Sequence, residues 1–324
     1  MPLQQELSVI IPEIAHVNAE IKKTVEEELL SHYQPSQPFL LDGQGKKLRP
    51  ALFLASAKTH GDDVSELIPL AASLELIHMA TLLHDDVVDR AALRRSLPTV
   101  NSSEGNKIAV LLGDYLFSKA FSMLTSVGNL EIIQLFSRVV ERMSLGELKQ
   151  QTDAFNLYLT EEEYLDRINQ KTAEFMASCC LAGCLTSECP EDLQMPLYHF
   201  GLNLGMAFQI IDDMIDFKDL NSRTGKDHFN DLKNGVVTLP LIYVLQAPSN
   251  KELMIKWMSN NRNDEDSIAN LLDQIKINRG LEYALYRAEQ YLNQARCFAG
   301  QVPSKEARRN LQLILQLIWS RVEE

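Results

Sequence analysis

"LELIHMATLLHDDVVD", residues 74–89, ends an apolar run in three aspartates. Leu67, Leu70, Leu74, Ile77 and Thr81 recur at three- and four-residue spacing, the pattern of a helix with a buried face. The same device returns in "GLNLGMAFQIIDDMID", residues 201–216. Four residues advance a helix by about 400°, so Asp85 and Asp89 project from nearly one face, as do Asp212 and Asp216. Carboxylates closing a helix lie against the negative end of its dipole, an unfavourable place unless cations are present. Hard oxygen donors without histidine or thiolate select Mg²⁺, which keeps its own waters and is usually shared with phosphate oxygens. One such triplet in an acidic protein reads as a solvated helix end. Two, each closing an apolar helix, point to metal-assisted binding of a phosphate or diphosphate.

Outward from these stretches the helical spacing continues. It runs through Ile108 to Phe121, Ile132 to Leu148, Tyr164 to Cys184 and Tyr198 to Phe217, and no strand run stands bounded by turn residues. Helix starts are signalled by "QPSQP" before Phe39, by Thr160 three residues ahead of Glu163, by "SECPEDL" and by "APSNKEL". The expected fold is all-α. With no linker, repeat or sustained heptad pattern, a single domain over residues 1–324 is expected, with roughly the last eighty residues as its periphery.

Composition narrows the function. At 324 residues and 45% hydrophobic, the chain has ample apolar material for a large core. Its 31 basic and 44 acidic residues leave a net charge of −13, which repels a nucleic-acid backbone. "MPLQQELSVIIPEIAHVN" lacks the basic leader and cleavage site of a signal peptide, so a cytoplasmic location is expected. "LIPLAASLELIHMATLL" is interrupted by Glu75 and His78, so no transmembrane span is expected. Four of the five cysteines cluster at 179, 180, 184 and 189 without the paired spacing of a zinc site. They read as small, reduced packing residues, neither metal ligands nor disulfides.

A diphosphate also calls for lysine and arginine, the latter for its bidentate fork. Arg94 and Arg95 follow the first triplet, Lys226 follows the second in "SRTGKD", and "GKKLRP" supplies Lys46, Lys47 and Arg49. Taken with "GD" at 113–114, "GELKQ" at 146–150, "QKTAEF", "GMAFQIIDDMIDF" and "GKDHFNDLKNGVVTLP", in that order, the chain resembles the trans-polyprenyl diphosphate synthase family over most of its length.

The resemblance implies an isoprenoid-synthase-type helical bundle around a central cavity, with the two triplets facing each other across its mouth. It implies that Asp85 and Asp89 bind two Mg²⁺ ions and Asp212 a third, supported by Asp86, Asp213 and Asp216. Arg94, Lys171 and Lys226 would hold the diphosphate of an allylic substrate, and Lys46, Arg49, His78 and Arg95 would hold isopentenyl diphosphate. Thr172 and Gln209 would line the reaction zone. Without the resemblance, His78 reads as a core histidine. Ser96, the loop "GKDHFNDL" and Val236, where many members carry a second lysine, depart from the family pattern. Val236 leaves Lys226 or Lys233 to supply that charge.

Product length follows from what blocks the tail beside the first aspartate helix. One helical turn rises about 5.4 Å, close to one extended isoprene unit. Short-chain members place a bulky aromatic four or five residues before the first aspartate; here those positions are Thr81 and Ala80. An open tunnel and roughly six to eight or more isoprene units are expected, as in hepta- or octaprenyl synthases, with a floor near Leu76, Ile77, Leu116, Phe117 and Met123. A farnesyl or geranylgeranyl starter is expected. The alternatives are a shorter geranylgeranyl product, the catalytic subunit of a heteromer, a terpene cyclase or a non-catalytic subunit. Lys46, Arg49 and Arg95 speak against the cyclase, and two intact triplets against the last. The family implies a homodimer, or pairing with a small unlike subunit, with delivery of the product to a membrane left open.

Overall fold

A computed structural model of the chain describes residues 3–33, 45–61, 63–94, 97–187, 189–218, 232, 234–259 and 265–322. Helices dominate, as the periodicity predicts. In order they are α1 (Leu3–Ile10), α2 (Ile14–His32), α3 (Leu48–Ala57), α4 (Ile68–Val88), α5 (Val100–Ser103), α6 (Asn106–Ser126), α7 (Leu130–Thr152), α8 (Glu161–Ile168), α9 (Glu174–Thr186) and α10 (Glu191–Lys218). There follow α11 (Leu239–Val244), α12 (Pro248–Ser259), α13 (Glu265–Ile277), α14 (Gly280–Gly300) and α15 (Lys305–Ser320).

Two features depart from the sequence expectation. Leu93–Arg94 (β1) and Leu97–Pro98 (β2) pair antiparallel. Strands of two residues are too short to show an alternating pattern. Between α8 and α9, where the sequence reads as one continuous helix, Asn169–Ala173 forms a π-helical turn. The capping box at α8 forms as read: the Thr160 hydroxyl accepts from the Glu163 amide, and the Glu163 carboxylate accepts from the Thr160 amide.

The chain divides into two compact units. The first holds Met1–Ser137, Ser178–Tyr198 and Phe298–Leu317; the second holds Arg138–Ala177, His199–Cys297 and Ile318–Glu324. In the first, α4 packs along α6 and also against α2 and α3. Its core includes Leu52, Phe53, Leu54, Leu70, Leu74, Leu76 and Ile77, all fully buried. In the second, the core includes Phe175, Phe200, Leu204 and Ile210, with the large Tyr164 side chain also fully buried.

Two stretches, Ser65–Val88 and Asn106–Ser126, are long and apolar enough to cross a membrane by length and composition alone. This corrects the expectation that Glu75 and His78 rule out such a stretch. In the first, 61% of the most apolar window is buried within the protein, and Glu75 is neutralised there by Lys47 at 3.2 Å. One charged residue among so many apolar ones leaves the mean hydropathy high, and the ion pair lets that charge lie inside the protein.

All five cysteines are free, and Cys179, Cys180, Cys184 and Cys189 are buried. Burial pushes the Cys179 thiol well up and the Cys180 thiol to about 12. These are the packing residues the sequence suggests.

Candidate active site

The first triplet closes α4. Asp89 caps the helix, Arg90 adopts a left-handed conformation (φ 52°), and the Ala91 amide reaches back to the Asp86 carbonyl at 3.0 Å. Thr99 donates to the Ala91 carbonyl at 2.6 Å, and the Asn101 amide donates to the carbonyls of Asp86 and Ala91, both at 3.1 Å. These bonds fold the following loop back over the helix end. They bring Arg94 Nε to Asp86 Oδ1 at 2.8 Å.

Burial raises the Asp86 pKa, an effect that the nearby Arg94 guanidinium opposes. The carboxylates therefore differ in kind. Asp86 is buried and paired, whereas Asp85 is partly exposed and Asp89 exposed. Ile77, Thr81, Asp85 and Asp89 fall at four-residue intervals, a single stripe along α4. Thr81 donates its hydroxyl to the His78 carbonyl at 2.8 Å, while Ala80, Ile77 and Leu76 are fully buried. Beside them on α6, Leu116 is fully buried, and Phe117 and Met123 are half-buried. Gly113, of the "GD" pair, gives room for His84: a Cβ there would lie 2.2 Å from His84 Nε2.

The basic motif opening α3 belongs to the same unit. Lys47 and Arg49 are both buried. Lys47 is held by Glu75 of α4, and the same carboxylate acts on Arg49, whose pKa burial lowers. Lys46 and His78 are half-buried. A pair of buried cations beside one carboxylate is a region of positive potential, as an anion site needs. Arg95 lies outside the described residues.

The second unit carries the other triplet, inside the last turns of α10. Two stripes run along this helix. Gly201, Gly205, Gln209 and Asp213 form one. A Cβ on Gly201 would lie 2.6 Å from the Met176 carbonyl oxygen, and one on Gly205 would lie 2.5 Å from Ala173 Cα. The glycines thus let α10 approach the π-helical turn and α9 closely.

One turn further on, Thr172 donates to Gln209 Oε1 at 2.7 Å, and Gln209 Nε2 donates to Asp213 Oδ1 at 2.8 Å. The buried Tyr164 hydroxyl completes the network by donating to Asp213 Oδ2 at 2.7 Å. Both Asp213 oxygens are thereby satisfied, and the Tyr164 pKa is raised well up, first by burial and then by Asp213. Phe208 and Asp212 lie on the second stripe, where Arg321 Nη2 meets Asp212 Oδ1 at 2.6 Å.

Lys171, on the π-helical turn, pairs with Glu147 of α7 at 2.5 Å and donates to Gln150 at 3.3 Å. Both partners come from the "GELKQ" motif, whose Gly146 stays within 3.4 Å of the Lys171 backbone nitrogen, measured from an added Cβ. Lys226 and the alternative Lys233 lie outside the described residues, as does the Asp216 side chain. Val236 is half-buried, and the next residue's carbonyl accepts from Arg167 at 2.7 Å.

Among the described residues no group of three or more His, Cys, Asp or Glu side chains gathers as a metal cage. The donor set nonetheless fits Mg²⁺. Asp85 and Asp89 share one helical stripe and Asp212 is partly exposed on α10, so few protein oxygens are offered and most of the coordination shell is left to water and phosphate oxygens, as this ion prefers. Two further residues enter these contacts without a sequence signal, Tyr164 and Arg321, whereas Glu147 lies in the quoted "GELKQ" motif. Tyr164 sits 49 positions from its partner and Arg321 109, and each occupies an ordinary helical position in the sequence.

The model of the family described as polyprenyl synthetase matches residues 32–275. The chain belongs to the polyprenyl synthetase family. It is 32% identical over 323 residues to the heptaprenyl diphosphate synthase component 2 of Bacillus subtilis, covering 99% of this chain and 91% of that one. The crystal structure of a decaprenyl diphosphate synthase from Rhodobacter capsulatus matches with a TM-score of 0.88 and 30% identity, covering 100% of both chains. A polyprenyl synthase from Caulobacter crescentus, complexed with calcium and isoprenyl diphosphate, also matches with a TM-score of 0.88, at 29% identity over 98% of this chain and 97% of that one. The chain therefore has the all-α isoprenoid synthase fold that its sequence resembles.

Proposed function

We propose that the protein condenses an allylic diphosphate, farnesyl or geranylgeranyl, with successive isopentenyl diphosphates to give a long-chain all-trans polyprenyl diphosphate. The observation that carries this reading is that each triplet, within its own unit, is prepared in the same way. In each, one aspartate is turned inward and fixed, Asp86 by Arg94 and Asp213 by Tyr164 and Gln209, beside a more exposed neighbour. The relatives' names, heptaprenyl and decaprenyl diphosphate synthase, support a long product. So does the absence of bulk at Ala80 and Thr81.

In this reading Asp85, Asp89 and Asp212 would hold three Mg²⁺ ions, with Asp86, Asp213 and Asp216 in support. The bound ions would supply charge stabilisation for the departing pyrophosphate. Arg94, Lys171 and Lys226 receive its oxygens as the allylic C1–O bond breaks. Lys171 exchanges its Glu147 partner for the diphosphate in doing so. The Thr172 and Gln209 dipoles face the allylic cation, and their mutual hydrogen bond keeps both oriented. Lys46, Arg49, His78 and Arg95 hold isopentenyl diphosphate so that its double bond attacks that carbon, and loss of a proton to pyrophosphate completes the new trans double bond.

A cytoplasmic homodimer is the simplest form. The "component 2" in the name of the Bacillus subtilis relative also favours testing a small unlike subunit. The deciding experiment incubates the purified protein, alone, with Mg²⁺, farnesyl diphosphate and labelled isopentenyl diphosphate, and sizes the products. A ladder of roughly six or more isoprene units is expected. Release of hydrocarbon without uptake of label would overturn the reading in favour of a cyclase.

A further inference from the structure

Arg321, one residue past α15, does something that the proposed reaction does not by itself require. Its Nη2 donates to Asp212 Oδ1 at 2.6 Å, and its guanidinium carbon lies 4.8 Å from the centre of the Phe208 ring, one turn earlier on α10. The two partners are unequally exposed: the arginine side chain is 8% accessible and the aspartate 44%. The cation is thus behind the carboxylate, and solvent reaches the carboxylate. A cation competing for Asp212 from the open side would show the reverse.

A buried guanidinium needs a counter-charge, because removing it from water costs several kcal/mol that only a well-placed anion offsets. Asp212 is that anion. Stacking on Phe208 and the single Nη2–Oδ1 bond hold the arginine, and the arginine in turn holds the carboxylate.

We propose that Arg321 is a positioning residue for the second aspartate triplet, holding Asp212 from behind so that its open side meets Mg²⁺ and diphosphate already oriented. The proposal rests on the reading of Asp212 as a metal ligand given above. It pairs the two halves of the triplet's preparation: Tyr164 and Gln209 fix Asp213, and Arg321 fixes Asp212. Outer hydrogen-bond partners orient a ligand, and their loss typically weakens metal binding about 10–100-fold; the guanidinium's charge itself repels Mg²⁺, so Arg321 strengthens binding by orientation, which outweighs that repulsion.

The test is Mg²⁺ titration calorimetry on the full chain saturated with a farnesyl thiolodiphosphate, whose C–S bond resists ionisation, so that no turnover is needed. Arg321→Met keeps the packing on Phe208 and loses charge and donors. Its Mg²⁺ half-saturation should rise about ten-fold, Arg321→Lys should fall between it and wild type, and Arg321→Met should add nothing on an Asp212→Asn background. An unchanged or lower half-saturation in Arg321→Met, while Asp212→Asn weakens binding, overturns the proposal alone and leaves Arg321 a clip between helices. A wild-type protein that binds the analogue without Mg²⁺ dependence overturns the metal reading as well. Should the methionine variant fail to fold, the lysine variant decides: a raised half-saturation is expected, and a wild-type value overturns the idea.

Discussion

Gly205→Ala tests the packing on which the second half of the site depends. The added Cβ would stand 2.5 Å from Ala173 Cα and 3.0 Å from Ala173 Cβ. Carbon atoms in contact sit about 3.5–4.0 Å apart, so about 1 Å must be found. The nearer obstacle is backbone and cannot rotate away. Helix α10 must therefore retreat from the π-helical turn, stretching the 2.7 Å hydrogen bond between Thr172 and Gln209 one turn further on.

Overpacking of this kind costs about 1–3 kcal/mol, and the lost hydrogen bond about 1 kcal/mol. Alanine's better helix propensity returns about 1 kcal/mol. Against an unfolding entropy of about 0.7 kcal/mol/K for a chain this long, a net loss of about 2 kcal/mol should lower the melting temperature by roughly 3 °C. The same displacement of reacting groups, about 1 Å, should cost on the order of 10²-fold in turnover. Thermal melting and steady-state uptake of labelled isopentenyl diphosphate measure the two effects. Gly300→Ala is the control, since a Cβ there meets nothing within 4 Å and should melt no lower than wild type. Wild-type melting and turnover in Gly205→Ala would refute the argument that this glycine sets the helix spacing.

Three further outcomes are expected. Ala80→Tyr puts an aromatic ring at a fully buried position about one and a half turns before Asp85 and should shorten the product to about three or four isoprene units, read by product sizing; an unchanged ladder sinks the tunnel argument. Tyr164→Phe removes a buried donor to a carboxylate, worth about 1.5–3 kcal/mol, and should lower stability and turnover together, whereas wild-type values for both would show Asp213 to be held by other means. Thiol labelling of the native protein between pH 7 and 9 should modify Cys297, which is exposed, and spare Cys179 and Cys180. Their raised pKa values keep those thiols neutral as pH rises through that range, and rapid labelling of either would contradict their burial.

Much of this was legible in the sequence because helices advertise their periodicity. Leu70, Leu74 and Ile77 fall on buried positions of α4, whereas Leu67, just before the helix, and Thr81 are half-buried, and the four-residue spacing of Asp85 and Asp89 places both on one stripe. The Thr160 and Glu163 box marks the start of α8 by local chemistry alone. What stayed hidden depends on groups far apart in sequence. Tyr164 looks like any buried aromatic until α10 brings Asp213 to it, and Lys171 gives no sign of the Glu147 it pairs with. Glu75 illustrates the converse. Read alone it breaks an apolar run, but beside Lys47 it is an internal counter-charge in a core helix.

The π-helical turn at Asn169–Ala173 has a consequence for the phase of the helix it interrupts. Eight regular steps from Tyr164 to Thr172 would sweep about 800°, leaving the two side chains roughly 80° apart. Taking up one residue in the wider turn reduces this to seven effective steps, about 700°, so that both point the same way to within roughly 20°. Both can then engage a single partner helix, one at Asp213 and the other at Gln209. The segment works as a vernier: straightening it into regular helix at full length would swing one of the two groups off target, whereas deleting one residue between Asn169 and Lys171 would leave seven regular steps, the same roughly 700°, and keep both in phase.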